Sequence, residues 1–121
     1  MAGRIKGQGS KWIRKDKRLA IYLRDGMACA YCGGTVESTG THLTLDHLLP
    51  CSDGGGNHEG NLVTSCLSCN SRRQDTPLAD WLSSELGNDA AATARWISEH
   101  TAKDLRPYRA EAKAIIARRR S

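Results

Sequence analysis

Two Cys-x-x-Cys pairs, Cys29-Ala-Tyr-Cys32 and Cys66-Leu-Ser-Cys69, stand 33 residues apart in this chain. No other feature limits the fold so strongly. Four thiolates paired in this way have the number and softness for one closed tetrahedral zinc site, with no coordination position left open for chemistry. A redox dithiol needs only one such pair, at a helix N-terminus in a βαβ setting that is missing here. A disulfide framework fits poorly as well, because the cysteines number five and four of them fall in the pairs. The fifth, Cys51, reads as an ordinary loop residue. The expectation is one structural Zn²⁺ per chain on Cys29, Cys32, Cys66 and Cys69.

Such a staple suits a chain of 121 residues with no Phe and 5% aromatics, which has room for one domain and a limited core. Met1 to Arg18 is polar and basic, without the apolar stretch of a signal peptide. No segment approaches the roughly 20 apolar residues of a membrane span. The expectation is a soluble protein of a reducing compartment, the cytoplasm, with no membrane partner.

Net charge is +5, and its distribution matters more than its size. Arg4, Lys6, Lys11, Arg14, Lys15, Lys17 and Arg18 face a single acid, Asp16, in residues 1–18. Lys103, Arg106, Arg109, Lys113, Arg118, Arg119 and Arg120 face Asp104 and Glu111 in residues 103–121. Everything between is acidic on balance. Two basic ends around such a centre suit tracking of a phosphate backbone, so nucleic acid is the expected partner.

Three regions follow from the pattern: a basic arm over residues 1–13, a zinc-containing core over 14–76, and a basic helical extension over 77–121. Leu19, Tyr22 and Leu23 at i, i+3, i+4 with Gly26 as a stop predict a helix over about residues 14–25. The first Cys pair reads as a zinc knuckle opening a hairpin, with short strands at Val36 and over Thr41–Leu45. Residues 50–60 are Gly-rich and read as a loop. From Asn61 a helical turn is expected to lead into the second Cys pair and a short helix to about Arg73. Beyond Pro77, three helices are expected. The first carries Leu78, Trp81, Leu82 and Leu86 and stops at Gly87. The second is capped by Asn88 or Asp89, and the third carries the stripe Leu105, Tyr108, Ala112, Ile115 and Ile116.

Between the Cys pairs stand Leu45-Asp46-His47-Leu-Leu-Pro50, Gly55-Gly56-Asn57 and Asn61-Leu62-Val63, and Asn70 follows Cys69 directly. Carboxylate and amide oxygens suit a hard divalent ion, and an imidazole exchanges a proton near neutral pH. The ordered set, from about Arg18 to about Arg73, resembles the HNH (ββα-metal) endonuclease family, in particular its members with four zinc cysteines. The resemblance implies an α+β fold: a small zinc-stapled, treble-clef-like ββα-metal core with an N-terminal helix and a helical C-terminal tail.

It further implies that His47 is the general base and that Asp46 and Asn70 hold a catalytic Mg²⁺ or Mn²⁺. The family's pair at Asp46-His47 lies in a loop, which lets neighbouring side chains serve one site. Asn61 would pin that loop and orient the base, while Asn57 or His58 could approach the substrate. Arg72 and Arg73 are placed to clamp a phosphate, and Arg118, Arg119 and Arg120 to contact DNA. The expected activity is hydrolysis of DNA phosphodiester bonds by nicking, leaving 5′-phosphate and 3′-hydroxyl ends. Small proteins of this type occur in phages and prophages, which extends the expectation to phage DNA processing and packaging partners. Whether the chain acts as a monomer or a homodimer stays open. Two rivals remain: a non-catalytic zinc-dependent DNA-binding module, and an HNH nuclease that cleaves RNA.

Overall fold

The two central strands are short, and each is covered on both faces. In the computed structural model, which describes residues 13–40, 42–50 and 53–120, β1 (Leu43–His47) and β2 (Leu62–Cys66) form one antiparallel pair. The register matches Leu45 to Thr64, Asp46 to Val63 and His47 to Leu62. Leu48 N–H to Asn61 carbonyl and Leu67 N–H to His42 carbonyl extend the ladder at its two ends. Directly opposed residues in an antiparallel pair share a face. Leu45, Thr64, His47 and Leu62 therefore lie on one side of the sheet, and Asp46 and Val63 on the other.

The first face packs on α1 (Lys15–Arg24) and α6 (Arg106–Arg120). Leu45 and Leu62 join Ile21, Leu105 and Ala112 in one buried cluster there. The opposite face receives α3 (Leu67–Arg73), α4 (Leu78–Leu86) and α5 (Ala90–Thr101), and Val63 joins Tyr31, Trp81, Leu82, Ile97 and three zinc-type cysteines. A four-residue helix, α2 (Val36–Thr39), follows the knuckle, closed by a reciprocal Thr35–Ser38 capping box. The fold is the expected small α+β, ββα-metal type. No helix among the described residues is long and apolar enough to cross a membrane.

Three expectations need correction. Val36 belongs to α2 and not to a strand. Residues 62–66 form β2 and not a helical turn; Leu62, Val63, Thr64 and Ser65 are wholly buried, so the strand lacks the alternation that marks a half-exposed one. In α1, Ala20, Ile21 and Arg24 face the core while Leu19, Tyr22 and Leu23 are only partly covered, because the helix is wedged between sheet and α6. The four helices Lys15–Arg24, Leu67–Arg73, Leu78–Leu86 and Arg106–Arg120 fall where expected. For α5 the Asp89 side chain makes no capping bond. Residues 1–12 of the basic arm and Cys51 lie outside the described residues.

A buried ion pair locks α1 to the sheet. Arg24 binds both Asp25 oxygens, at 2.7 and 3.0 Å, and donates to the carbonyls of Glu59 and Leu62. Asp25 in turn accepts from Thr64 N–H at 2.9 Å. Removing either partner would strand a buried charge and cost about 3–5 kcal/mol.

Candidate active site

The cysteines come first, because the rest is built on them. The Sγ atoms of Cys29, Cys32, Cys66 and Cys69 all lie within 4.8 Å of one another, and Cys32 and Cys66 approach to 3.9 Å. Sulfurs at about 2.3 Å from a tetrahedral Zn²⁺ stand about 3.8 Å apart, so the cluster fits that ion with little adjustment. Amide N–H groups already point at three of them: Tyr31 to Cys29 at 3.4 Å, Gly34 to Cys32 at 3.3 Å and Cys69 to Cys66 at 3.4 Å. Burial, and next the charge of Cys29, push the Cys69 thiol well above its ordinary range. Cys32 rises too, chiefly from burial. A divalent ion supplies the charge that lets such a cluster ionise.

Asp46 and His47 close β1, and the period of a strand sends them to opposite faces. The pair thus stands in a strand and not, as expected, in a loop. Asp46 is 6% exposed. Its Oδ2 accepts from the Tyr31 hydroxyl at 2.5 Å and from Arg73 Nη1 at 2.6 Å. Burial, and then the adjacent carboxylate, push the Tyr31 phenol far up, so it stays a proton donor. Oδ1 accepts nothing from any described residue. Asn70 shows the same division of labour. Its Nδ2 donates to Leu45 carbonyl at 3.3 Å, and its Oδ1 has no partner among the described residues. Asn70 sits inside α3, whose N-cap is Cys66, so it is no helix cap.

His47 Nε2 meets Asn57 Oδ1 at 2.7 Å. An amide oxygen only accepts, so Nε2 donates this bond, which in the neutral ring leaves the lone pair on Nδ1. Asn57 is itself moored: Lys17 Nζ of α1 donates to its carbonyl at 2.7 Å. Asn61 ties the loop between the strands. Its Nδ2 donates to Leu49 and Gly56 carbonyls, at 3.0 and 2.9 Å, and its Oδ1 accepts from Leu49 N–H at 2.9 Å. A Cβ on Gly55 would sit 1.8 Å from Leu49 carbonyl oxygen, which makes glycine obligatory in that turn. His58 caps the turn Glu59–Asn61, accepting from Gly60 N–H.

Arg73 and Arg72 stand differently from expectation. Arg73 is fully buried, with Nη1 on Asp46 and His47 carbonyl, Nη2 on Leu48 carbonyl and Nε on Thr76 carbonyl. It cannot clamp a phosphate, because its donors are spent inside the protein. Arg72 is also engaged, by Glu85 at 2.8 Å, the Cys69 sulfur at 3.4 Å and the Trp81 ring at 5.7 Å. It braces the cysteine cluster. Arg118, Arg119 and Arg120 are exposed on the last turn of α6 and form no ion pair with any described residue. Tyr31 and Arg73 are the contacts to Asp46 that the sequence does not announce. The only signal for Tyr31 is its place between two ligand cysteines.

Residues 29–76 match the model of the HNH endonuclease family. This segment belongs to that family. The chain is 45% identical over 66 residues to the CRISPR-associated endonuclease Cas9 of Actinomyces naeslundii, covering 53% of this chain and 6% of that protein. It is 37% identical over 59 residues to the protein of the same name from Corynebacterium diphtheriae, covering 48% of this chain and 5% of the relative. It also superposes on the crystal structure of the Type II-C Cas9 enzyme from Actinomyces naeslundii. That match has a TM-score of 0.52 and 33% identity, over 84% of this chain and 11% of the other. The chain therefore spans only a small part of the relatives it resembles.

Proposed function

We propose that this chain is a metal-dependent endonuclease that hydrolyses DNA phosphodiester bonds one strand at a time. The observation that carries the reading is the pair of oxygens Asp46 Oδ1 and Asn70 Oδ1. Both accept no hydrogen bond from the described residues, while Asp46 Oδ2 and Asn70 Nδ2 are anchored. Their chemistry fits a hard ion such as Mg²⁺ or Mn²⁺ completed by water and phosphate oxygens. Bound there, the ion would stabilise charge developing on the phosphate and the departing oxygen. Zn²⁺ on the four cysteines serves the fold and takes no part in the reaction.

His47 is the last residue of β1, so although its ring and the Asp46 carboxylate leave the strand on opposite sides, both would reach one phosphate lying past the strand's end. There His47 Nδ1 takes the proton from an attacking water. The Asn57 amide fixes the tautomer that makes this possible, and Asn61 holds the loop that carries Asn57. In-line attack opposite the 3′ oxygen leaves a 5′-phosphate and a 3′-hydroxyl. Substrate contacts come from the basic ends. Arg14, Lys15, Lys113 and Arg120 line a cleft of about 430 Å³ between α1 and α6, where Asp16 is the one acid among the described residues that line it. Arg109 holds Asp16 at 2.9 Å and, with a looser contact from Arg14 at 3.5 Å, lowers its carboxyl below the usual range. One acid set against four cations leaves the cleft positive, ready for an outside anion, the DNA backbone.

Metal-free protein incubated with supercoiled plasmid and Mg²⁺, Mn²⁺, Ni²⁺ or Zn²⁺ in turn tests the reading. Open circles with 5′-phosphate ends in Mg²⁺ or Mn²⁺ are expected, and they should vanish with His47→Ala. Binding without cleavage in every metal would leave only a DNA-binding module. Cleavage of RNA alone would move the substrate.

A further inference from the structure

The Asp46 carboxylate is gripped from two directions that belong to different parts of the chain. Tyr31 comes from the first zinc knuckle, between Cys29 and Cys32, and its ring packs edge-on against Trp81 with centroids 5.6 Å apart. Arg73 comes from the last turn of α3, four residues after Cys69. Both donate to the same oxygen, Oδ2, and Arg73 also approaches the Tyr31 hydroxyl at 3.4 Å. The same guanidinium grips the carbonyls of His47 and Leu48, at 3.0 and 2.9 Å. One buried arginine therefore sets both the carboxylate and the backbone that carries the imidazole.

We infer that Tyr31 and Arg73 are positioning residues that hold Asp46 to ligation of the catalytic metal through Oδ1 alone. A carboxylate free to rotate offers either oxygen or both. With Oδ2 committed to two donors, only Oδ1 can turn toward an ion, and the ring and guanidinium block rotation. The grip ties the reaction site to the cysteine cluster. The backbone of Tyr31 is fixed by the ligand cysteines on either side, and its own N–H points at the Cys29 sulfur. The zinc knuckle is thus linked to Asp46 through Tyr31. Partners that orient a metal ligand in this way are worth about 10- to 100-fold in metal affinity or activity.

The inference rests on the reading of Asp46 as a metal ligand, and Mn²⁺ binding separates the two. Free Mn²⁺ is titrated by electron paramagnetic resonance against zinc-loaded wild type, Asp46→Ala, Tyr31→Phe and Arg73→Lys. Zinc content and melting temperature are measured on each. Phe keeps the ring packed on Trp81, and Lys keeps a charge for Asp46 while giving up the carbonyl contacts. Both variants should bind Mn²⁺ about tenfold more weakly or worse than wild type, at unchanged zinc content. DNA affinity without metal should stay at the wild-type value. Should one variant prove unstable, the other reads the same quantity. Wild-type Mn²⁺ affinity in both, alongside weakened binding in Asp46→Ala, overturns the positioning role and leaves the ligand intact. Wild-type affinity in Asp46→Ala overturns both.

Discussion

The two residues that end β1 point to opposite faces of the sheet, and the two faces are built on different principles. On the Asp46 side everything is braced. The carboxylate is held by Arg73 and by Tyr31, which stands between two cysteines of the cluster, and Arg72 adds a donor to the Cys69 sulfur. On the His47 side the ring is held by Asn57, carried on a loop that Lys17 and Asn61 moor from outside. A metal ligand gains from rigidity, since its geometry must precede the ion. A base that moves a proton needs the right tautomer and room for water. Disturbing the first face should therefore damage metal binding, and the fold as well where a cysteine is lost, and disturbing the second should damage rate alone.

The largest effect tests the braced face. Replacing Cys66 or Cys69 with Ser should leave the domain unfolded or insoluble, because zinc binding in such a cluster is part of the folding free energy. Circular dichroism and elemental analysis read the outcome, and a folded, zinc-free variant would break the contrast. Acid should act in the same direction. Zinc needs deprotonated sulfur, and burial raises the thiols of Cys69 and Cys32, so protons compete increasingly as pH falls.

The next effect belongs to the open face. His47→Ala should lower the cleavage rate by about 10²–10⁴ while zinc content and DNA affinity stay near wild type. Single-turnover nicking and a binding titration check it together. Nicking above about half the wild-type rate would show that another group takes the proton.

A smaller loss should follow at Asn57, which sharpens the contrast because it acts through His47. Asn57→Leu removes the acceptor at Nε2 and frees the tautomer, so the rate should fall about tenfold or more. Asn57→Asp keeps an acceptor at the same place and should recover most of that rate. Equal losses in both variants would show that the residue serves only the loop.

What is legible in the sequence follows the same division. The four clustered cysteines can be named because two Cys-x-x-Cys pairs have a fixed residue type at a fixed spacing, whereas His47, Asn61 and Asn70 stand out only through the family resemblance. The helices can be placed because α4 and α6 show one apolar face each. β2 does not read as a strand, because burial on both sides erases its alternation. Arg73 looks like a phosphate contact, because it is a basic residue close to a candidate metal ligand. Only tertiary packing reveals that it is wholly buried and paired with Asp46. Tyr31 is silent for the same reason, since a tyrosine between two cysteines has no chemical role until β1 is brought against it.

The smallest effect concerns substrate contact on the His47 side of the sheet. The cleft lined by Arg14, Lys15, Lys113 and Arg120 lies between α1 and α6, the helices that cover Leu45 and Leu62. None of these side chains contributes to the grip on Asp46. Ending the chain at Ala117 removes Arg118, Arg119 and Arg120, which form no ion pair with any described residue, so folding should be spared. Every phosphate that the shortened chain no longer neutralises lowers the slope of log K against log salt by roughly 0.9 on duplex DNA, so three arginines should flatten it by up to about 3 units. Lys15→Glu with Lys113→Glu should flatten it again, because both side chains line the cleft. Metal preference and product ends should not change in either variant. Titrations against one duplex at several salt concentrations decide the matter. Parallel lines of equal height would show that the basic helix end is merely solvated, and the cleft would then have no part in holding DNA.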